Sequence, residues 1–283
     1  MTKELLTARD RLLAGVPVKE RTIEAAGIPT AIVEGGRGDP LLLLHGPGEH
    51  VLKWLPVLPS LVSTGFVVAP DLPGHGATGT PDEPLTIDRV TQWVDEVIAA
   101  TCPSPPTVIG SLVGGAIALR YAAEHGDRVR RLVVVDTLGL APFHPAPEFG
   151  AVLEAYLAAP SEATFERLMG RCSYDLDGLR RRMGEGWQPL VEYTLDRIRA
   201  PGARESLDAL FELLIVPEIP AETLARIGAP VTLVWGRQDL ATDLSVAQSA
   251  SARYGWALHV IEGSGDDPVM DQPDRFLEVL RSL

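Results

Sequence analysis

The chain has 283 residues, 46% of them apolar, and a formal charge of −13, so it can bury a sizeable core yet lacks the clustered lysine and arginine that release counterions from nucleic acid. A partner with a polyanionic backbone is therefore excluded, and a neutral or cationic small substrate is expected. The length is generous for one domain and short for two, which suits a core that carries an insertion.

Met1 to Val18 mixes charges with leucines and reads as a short amphipathic helix without the apolar centre of a signal peptide. No uninterrupted apolar run approaches a membrane span, so no membrane association is expected. Thr22–Ala26 and Thr30–Glu34 flank Gly27-Ile28-Pro29 as a hairpin, and Leu41–Leu44 is a buried strand that runs into His45-Gly46-Pro47-Gly48. A helical pattern over Trp54–Leu61 and a strand over Gly65–Asp71 come next, the strand leaving through Leu72-Pro73-Gly74-His75-Gly76. Ile87–Ala100 is a helix capped by Thr86, Thr107–Ser111 a strand, the segment to about His125 a helix, and Arg131–Asp136 another strand. Strands alternating with helices at this spacing imply parallel βαβ units with both sheet faces covered, an α/β architecture.

From about Leu140 to Ala221 strand signals vanish, and Glu148–Ala158, Ser161–Met169, Leu176–Met183, Pro189–Ile198 and Ala203–Leu214 read as helices. Alternation resumes with a strand at Pro230–Trp235, a helix from about Leu244, a strand at Ala257–Ile261 and a helix from Pro273. Residues 1–139 and 222–283 are thus expected to form the core and 140–221 a helical cap. Cys102 and Cys172 fall in different parts and read as reduced structural thiols of a cytoplasmic chain.

One stretch organises the rest. Thr107-Val108-Ile109-Gly110-Ser111-Leu112-Val113-Gly114-Gly115 is a β-branched strand that meets glycines and continues as a helix, with Gly110 and Gly114 two residues either side of Leu112. This resembles the nucleophile elbow of the α/β-hydrolase superfamily, in its helical-cap group of esterases, epoxide hydrolases, carbon–carbon hydrolases and cofactor-free dioxygenases. The resemblance runs from about Thr22 to the end. His45-Gly46 matches the loop that supplies an oxyanion donor, Asp71 to Gly76 the second turn motif, and Trp235 to Asp239 the loop that carries the acid. Gly263-Ser264-Gly265-Asp266 matches the loop that carries the histidine.

The departures bear on one reaction. Leu112 stands where relatives have a nucleophile and offers no lone pair, and Asp266 stands where they have the imidazole that takes its proton. Pro47 sits where a backbone N–H usually meets the oxyanion, although Gly48 supplies one if the loop is shifted by a residue. Ser111 would be a nucleophile only if the elbow slipped by one position, against the register of both glycines.

The resemblance places Asp239 and Asp266 side by side, which makes a carboxylate pair and so one raised pKa. Arg237 is the structural alternative, as their neutralising partner. His50 is the remaining imidazole in the cleft-lining loop and the fallback base. Asp136 is either a further acid or a turn cap, and Asp267 reads as a solvated loop charge. His45 and His75 read as hydrogen-bonded scaffold.

Ser111, Leu112, Val113, Pro47, Gly48, Glu49, His144 and Trp187 are expected against the substrate, with Trp54, Phe143, Phe149, Tyr156 and Tyr193 as further apolar lining. No metal-ligand spacing and no cofactor motif is visible. The expected function is non-hydrolytic acid–base chemistry on an apolar small molecule, an elimination, cyclisation or isomerisation of the kind found in biosynthesis. A ligand-binding protein that has lost the chemistry and a hydrolase with a relocated base are the alternatives.

Overall fold

A computed structural model of the chain describes residues 7–283, and the first six residues of the expected amino-terminal helix lie outside them. Eight strands form one sheet in the order β1-β2-β4-β3-β5-β6-β7-β8. They are β1 (Val18–Ala25), β2 (Ile28–Gly36), β3 (Pro40–Leu44), β4 (Phe66–Pro70), β5 (Thr107–Ser111), β6 (Arg131–Val135), β7 (Val231–Gly236) and β8 (Ala257–Ile261). β2 runs antiparallel to β1 and β4, and every other pair is parallel. The hairpin closes through Ala26 and Gly27, both at positive φ, and both of its strands reach further from the turn than local patterning indicated.

The period of two along a strand builds the core. In the central strands Val108, Leu132, Val134 and Leu233 face one apolar layer, whereas Ile109, Val133, Val135 and Val234 face the other. Strands with apolar side chains on both faces are therefore buried on both sides, as β5, β6 and β7 are over all or nearly all of their length. Helices α1 (Ala8–Leu13), α2 (Leu58–Thr64), α3 (Ile87–Thr101) and α4 (Val113–Glu124) precede or interleave the central strands. Thr86 caps α3 by accepting from the Arg89 N–H, and Thr7 and Asp10 form a capping box at α1.

Between β6 and β7 come α5 (Pro147–Ala158), α6 (Glu162–Cys172), α7 (Leu176–Met183), α8 (Trp187–Ile198), α9 (Ala203–Leu210) and the short α10 (Ala221–Leu224). Tyr156, Phe165, Val191 and Leu195 give α5, α6 and α8 a small apolar core of their own. The carboxyl-terminal part supplies α11 (Leu244–Tyr254), α12 (Pro268–Asp271) and α13 (Pro273–Arg281). Among the described residues no helix is long and apolar enough to cross a membrane.

Two elements differ from the periodic reading. Trp54–Leu61 does not start a helix: Val51–Trp54 is a 3-10 turn and α2 begins at Leu58, because Pro56 interrupts the hydrogen-bond ladder and Pro59 is tolerated only in a first turn. The helix expected to continue to Leu214 loosens after Leu210 into a π-helical segment, Phe211–Ile215.

Candidate active site

The elbow keeps its backbone and changes its side chain. Leu112 sits between β5 and α4 at φ 51° and ψ −115°, a conformation that costs a branched residue on the order of 1–3 kcal/mol and persists only where its surroundings over-determine it. The glycines explain how. A Cβ on Gly114 would lie 2.2 Å from the Leu44 carbonyl oxygen, one on Gly110 2.5 Å from the Gly114 carbonyl oxygen, and one on Gly115 2.3 Å from Thr137 Oγ1. The turn is tight enough to lift residue 112 off the sheet, and what it lifts is an isobutyl group, 9% exposed, on the floor of a cavity.

The loop after β3 is built around Glu49 and Lys53. Gly46 N–H donates to Glu49 Oε2 at 2.6 Å, so the protein's own carboxylate occupies the start of the loop expected to bind an oxyanion. Lys53 is 4% exposed, and its Nζ donates to Ser111 Oγ at 2.7 Å and pairs with Glu49 Oε2 at 3.0 Å and Asp267 Oδ2 at 3.5 Å. Burial alone would lower the lysine pKa, but Asp267 and Glu49 outweigh it and push it up, so the side chain remains an ammonium. Nothing in the local sequence marks this lysine. Its one available signal was the i, i+4 spacing from Glu49.

Ser111 is thereby accounted for. It is fully buried beneath the floor, its hydroxyl committed to Lys53, and Val113 is buried in the first turn of α4. Neither lines the cavity as expected. Asp267, read as a solvated charge, is instead buried and ion-paired because it caps α12 against the Lys53 turn. Arg237 pairs with Glu262 at the surface and so does not neutralise the aspartates.

Three further carboxyl groups gather where the resemblance places the loops of the acid and the histidine. Asp136, at φ 43°, directly follows β6 and accepts the Gly236 N–H at 2.8 Å, tying the end of β6 to β7 where a turn cap was expected. Asp239 Oδ1 accepts from the N–H groups of Ala241 at 2.7 Å and Thr242 at 2.9 Å. The second oxygens of Asp136 and Asp239 are both buried and unpartnered. Burial pushes Asp239 up to about 7, and burial followed by repulsion from Asp239 raises Asp136 and Asp266 well above the usual carboxylate range. Asp267 is pushed up to about 7 by burial, against the pull of Lys53. Asp266 donates its own N–H to the Cys172 carbonyl at 3.0 Å, and its side chain lines the cavity beside the Cys172 thiol.

The cavity encloses about 160 Å³. Pro47, Gly48, Glu49, Lys53, Asp266 and Asp267 form its polar end with Leu112. Phe143, Phe149, Tyr156, Phe165, Trp187 and Phe211 are among its apolar walls. Trp54 and Tyr193 pack in the core. Asp239 stands behind Asp266, outside the lining.

Two expected contacts change character. His144 is exposed, held by its Nδ1 at 3.1 Å from the Pro142 carbonyl oxygen, and does not reach the cavity. His50 does line it, but its Nε2 is 2.9 Å from Thr194 Oγ1 and its ring stands edge-on to Tyr193 at 4.7 Å. Burial drives that imidazole down to about 3, so it is neutral and a weak proton acceptor. His45 and His75 are wholly buried or nearly so, His45 Nε2 accepting the Leu72 N–H at 2.9 Å and His75 Nδ1 lying 3.0 Å from the Pro73 carbonyl oxygen.

Chemically, the site offers buried carboxyl groups that hold protons near neutrality, one locked ammonium and an apolar chamber. It offers no hydroxyl, thiolate or basic imidazole at the elbow tip. The family model described as alpha/beta hydrolase family matches residues 41–279. The chain is 34% identical over 275 residues to 2-hydroxymuconate semialdehyde hydrolase of Pseudomonas sp. strain CF600, covering 92% of each chain. It is 26% identical over 307 residues to an esterase of Mycobacterium tuberculosis, covering 98% of this chain and 94% of that one. The structure of 2-hydroxy-6-oxo-6-phenylhexa-2,4-dienoate hydrolase from Rhodococcus sp. strain RHA1 superposes with a TM-score of 0.81 at 23% identity, covering 94% of this chain and 98% of that one. The sheet order, the strained elbow and the family match together show that the chain belongs to the alpha/beta hydrolase family.

Proposed function

We propose that the protein is an enzyme that uses this cavity for acid–base chemistry other than acyl transfer, an elimination, cyclisation or isomerisation of an apolar small molecule. The observation that carries the reading is the pairing of Leu112 on the cavity floor with Asp266 in its polar wall. Attack on an acyl group needs a lone pair at the elbow and a base beside it, and position 112 has neither. The Glu49 carboxylate on the Gly46 N–H argues in the same direction, since it puts negative charge where a tetrahedral oxyanion would need donors.

In this reading Asp266 moves the proton. Burial and its neighbours Asp239, Asp267 and Glu49 keep it protonated, ready to give a proton as an acid and, once ionised, to take one as a base. Asp239 and Asp136 hold the charge balance behind it through their unpartnered oxygens. Lys53 fixes Glu49 and Asp267, Leu112 and the aromatic walls exclude water, and 140–221 acts as the cap that closes the chamber. The semialdehyde hydrolase relative breaks down a small unsaturated molecule by its name, which supports a small-molecule substrate of similar scale here. The free thiols Cys102 and Cys172 fit a cytoplasmic location.

The test begins with a ligand released from the purified protein by heat and identified by mass spectrometry, then returned to fresh protein in deuterated buffer. Deuterium incorporation or loss of water is expected. Asp266→Asn should slow it by roughly 10²–10⁴, the span for removing a general acid or base. A wild-type rate in Asp266→Asn, or a covalent adduct with a serine-directed phosphonate mapped to Ser111, overturns the proposal.

A further inference from the structure

The charge around the cavity identifies what kind of molecule enters it. Among the described residues its ionisable lining consists of Glu49, Asp266 and Asp267 against the one ammonium of Lys53, with the neutral His50, the Cys172 thiol and the Tyr156 hydroxyl, and no arginine reaches it. Lys53 is already spent. Its Nζ is shared among Ser111 Oγ at 2.7 Å, Glu49 Oε2 at 3.0 Å and Asp267 Oδ2 at 3.5 Å, so it has no free direction for a ligand anion. Asp266 is the opposite case. It is 4% exposed, it lines the cavity, and among the described residues the side chain that hydrogen-bonds to its carboxyl group is the Cys172 thiol, a weak donor, with no backbone N–H and no hydroxyl on its oxygens. A buried carboxyl group met only by a thiol stays neutral by itself and takes the carboxylate form only where a ligand supplies a strong donor.

The geometry points to a protonated apolar amine as the cavity's ligand, its ammonium on Asp266 and its hydrocarbon body among Leu112, Phe149, Phe165 and Trp187. A carboxylate-bearing molecule is the class the site rejects, because it would meet Glu49 and Asp267 with no unpaired cation to receive it. The aromatic walls add to the preference, since ring faces attract an ammonium as it passes. The volume limits the body to about one ring, a cavity of about 150 Å³ being enough for benzene.

The arrival of the cation has a proton balance. Free Asp266 is neutral because burial, Asp239, Asp267 and Glu49 all oppose its ionisation and only Lys53 favours it. An ammonium beside it reverses that, so the carboxyl proton leaves for solvent while the amine keeps its own. The bound state then contains an Asp266 carboxylate, the form that removes a proton from the substrate. The inference rests on the proposed reading only in taking this cavity as the ligand site, and it concerns binding rather than turnover.

Calorimetric titration of the purified full chain near neutral pH with 2-phenylethylamine, 2-phenylethanol and phenylacetate tests it. The amine should bind at least ~10-fold more tightly than the alcohol, the equivalent of about 1.4 kcal/mol, and phenylacetate should not bind. Comparing buffers of different ionisation enthalpy should show up to about one proton released per amine bound. Asp266→Asn should erase both the preference and the proton release, and Asp266→Glu should retain the preference. Phenylacetate binding as well as the amine, an amine preference that survives Asp266→Asn, or no binding by any of the three overturns the inference. Amine binding without any turnover of the natural ligand upholds it while refuting the acid–base reading, and tight alcohol binding with Asp266-dependent turnover does the reverse.

Discussion

Lys53→Met removes the buried ammonium and keeps most of its hydrocarbon stem. The structure sets what is lost: a hydrogen bond to Ser111 Oγ at 2.7 Å and ion pairs to Glu49 at 3.0 Å and Asp267 at 3.5 Å. What remains is worse than an apolar core, because Glu49 and Asp267 stay in place without their cation. Breaking one side of a buried pair costs about 3–5 kcal/mol, far more than the ~0–1 kcal/mol of an exposed pair. For 283 residues the entropy of unfolding is on the order of 0.6 kcal/mol/K, so the melting temperature should fall by roughly 5–8 °C. The loss should also depend on pH. Lys53 is one of the groups that hold Asp267 down, so its removal raises that carboxyl further above about 7. At about pH 5.5 Asp267 is protonated in either protein and the penalty shrinks, whereas at about pH 8 the wild-type ion pair is formed and the penalty is larger. Scanning calorimetry at both values measures it. A melting temperature within about 1 °C of wild type at the higher pH, or an equal loss at both, refutes the reasoning.

The contribution of Asp239 to stability should fall between about pH 4 and pH 8. Asp239 is held at about 7 in the folded chain against an ordinary 3.8, so the fold keeps its proton; that contribution is complete below the ordinary value and lost as pH rises through 7. Asp239→Asn keeps an acceptor for the Ala241 and Thr242 N–H groups, so in a series of urea melts the stability of wild type relative to the variant should fall as pH rises from about 4 to 8, and a constant difference would count against the assignment. Leu112→Ser should yield no burst with activated esters, since no basic imidazole stands at the elbow and Glu49 occupies the Gly46 N–H; a stoichiometric burst would show a base within reach. Gly114→Ala should abolish soluble folded protein or cost more than about 3 kcal/mol, because its Cβ would sit 2.2 Å from a backbone oxygen that cannot rotate away; a near-native melt would contradict the packing of the elbow.

Much of the architecture is legible along the chain, for a local reason. Side chains alternate across a strand and recur every third or fourth residue along a helix, so Leu41–Leu44, Ile87–Ala100 and Arg131–Asp136 declare their elements through their neighbours alone. The elbow is legible too, because a turn that leaves 2.2–2.5 Å for a Cβ admits only glycine at Gly110 and Gly114 and writes that constraint into the sequence. That the side chain at the elbow tip offers no lone pair follows from the single letter at Leu112. Charge and burial are different, since they depend on which distant segments meet. Lys53 reads as an ordinary polar residue of a turn, and only the folding of that turn onto β5 and α12 buries it between Ser111 and Asp267. The same closure took Asp267 from solvent, committed Ser111, and surrounded His50 so that its imidazole dropped to about 3. His144 went the other way, left in water by a proline-rich segment that turns its ring onto its own backbone. The chain could name its residues and their elements. Which of them hold protons in the cavity was decided by desolvation and by charges brought together from across the fold, and neither exists until the tertiary structure does.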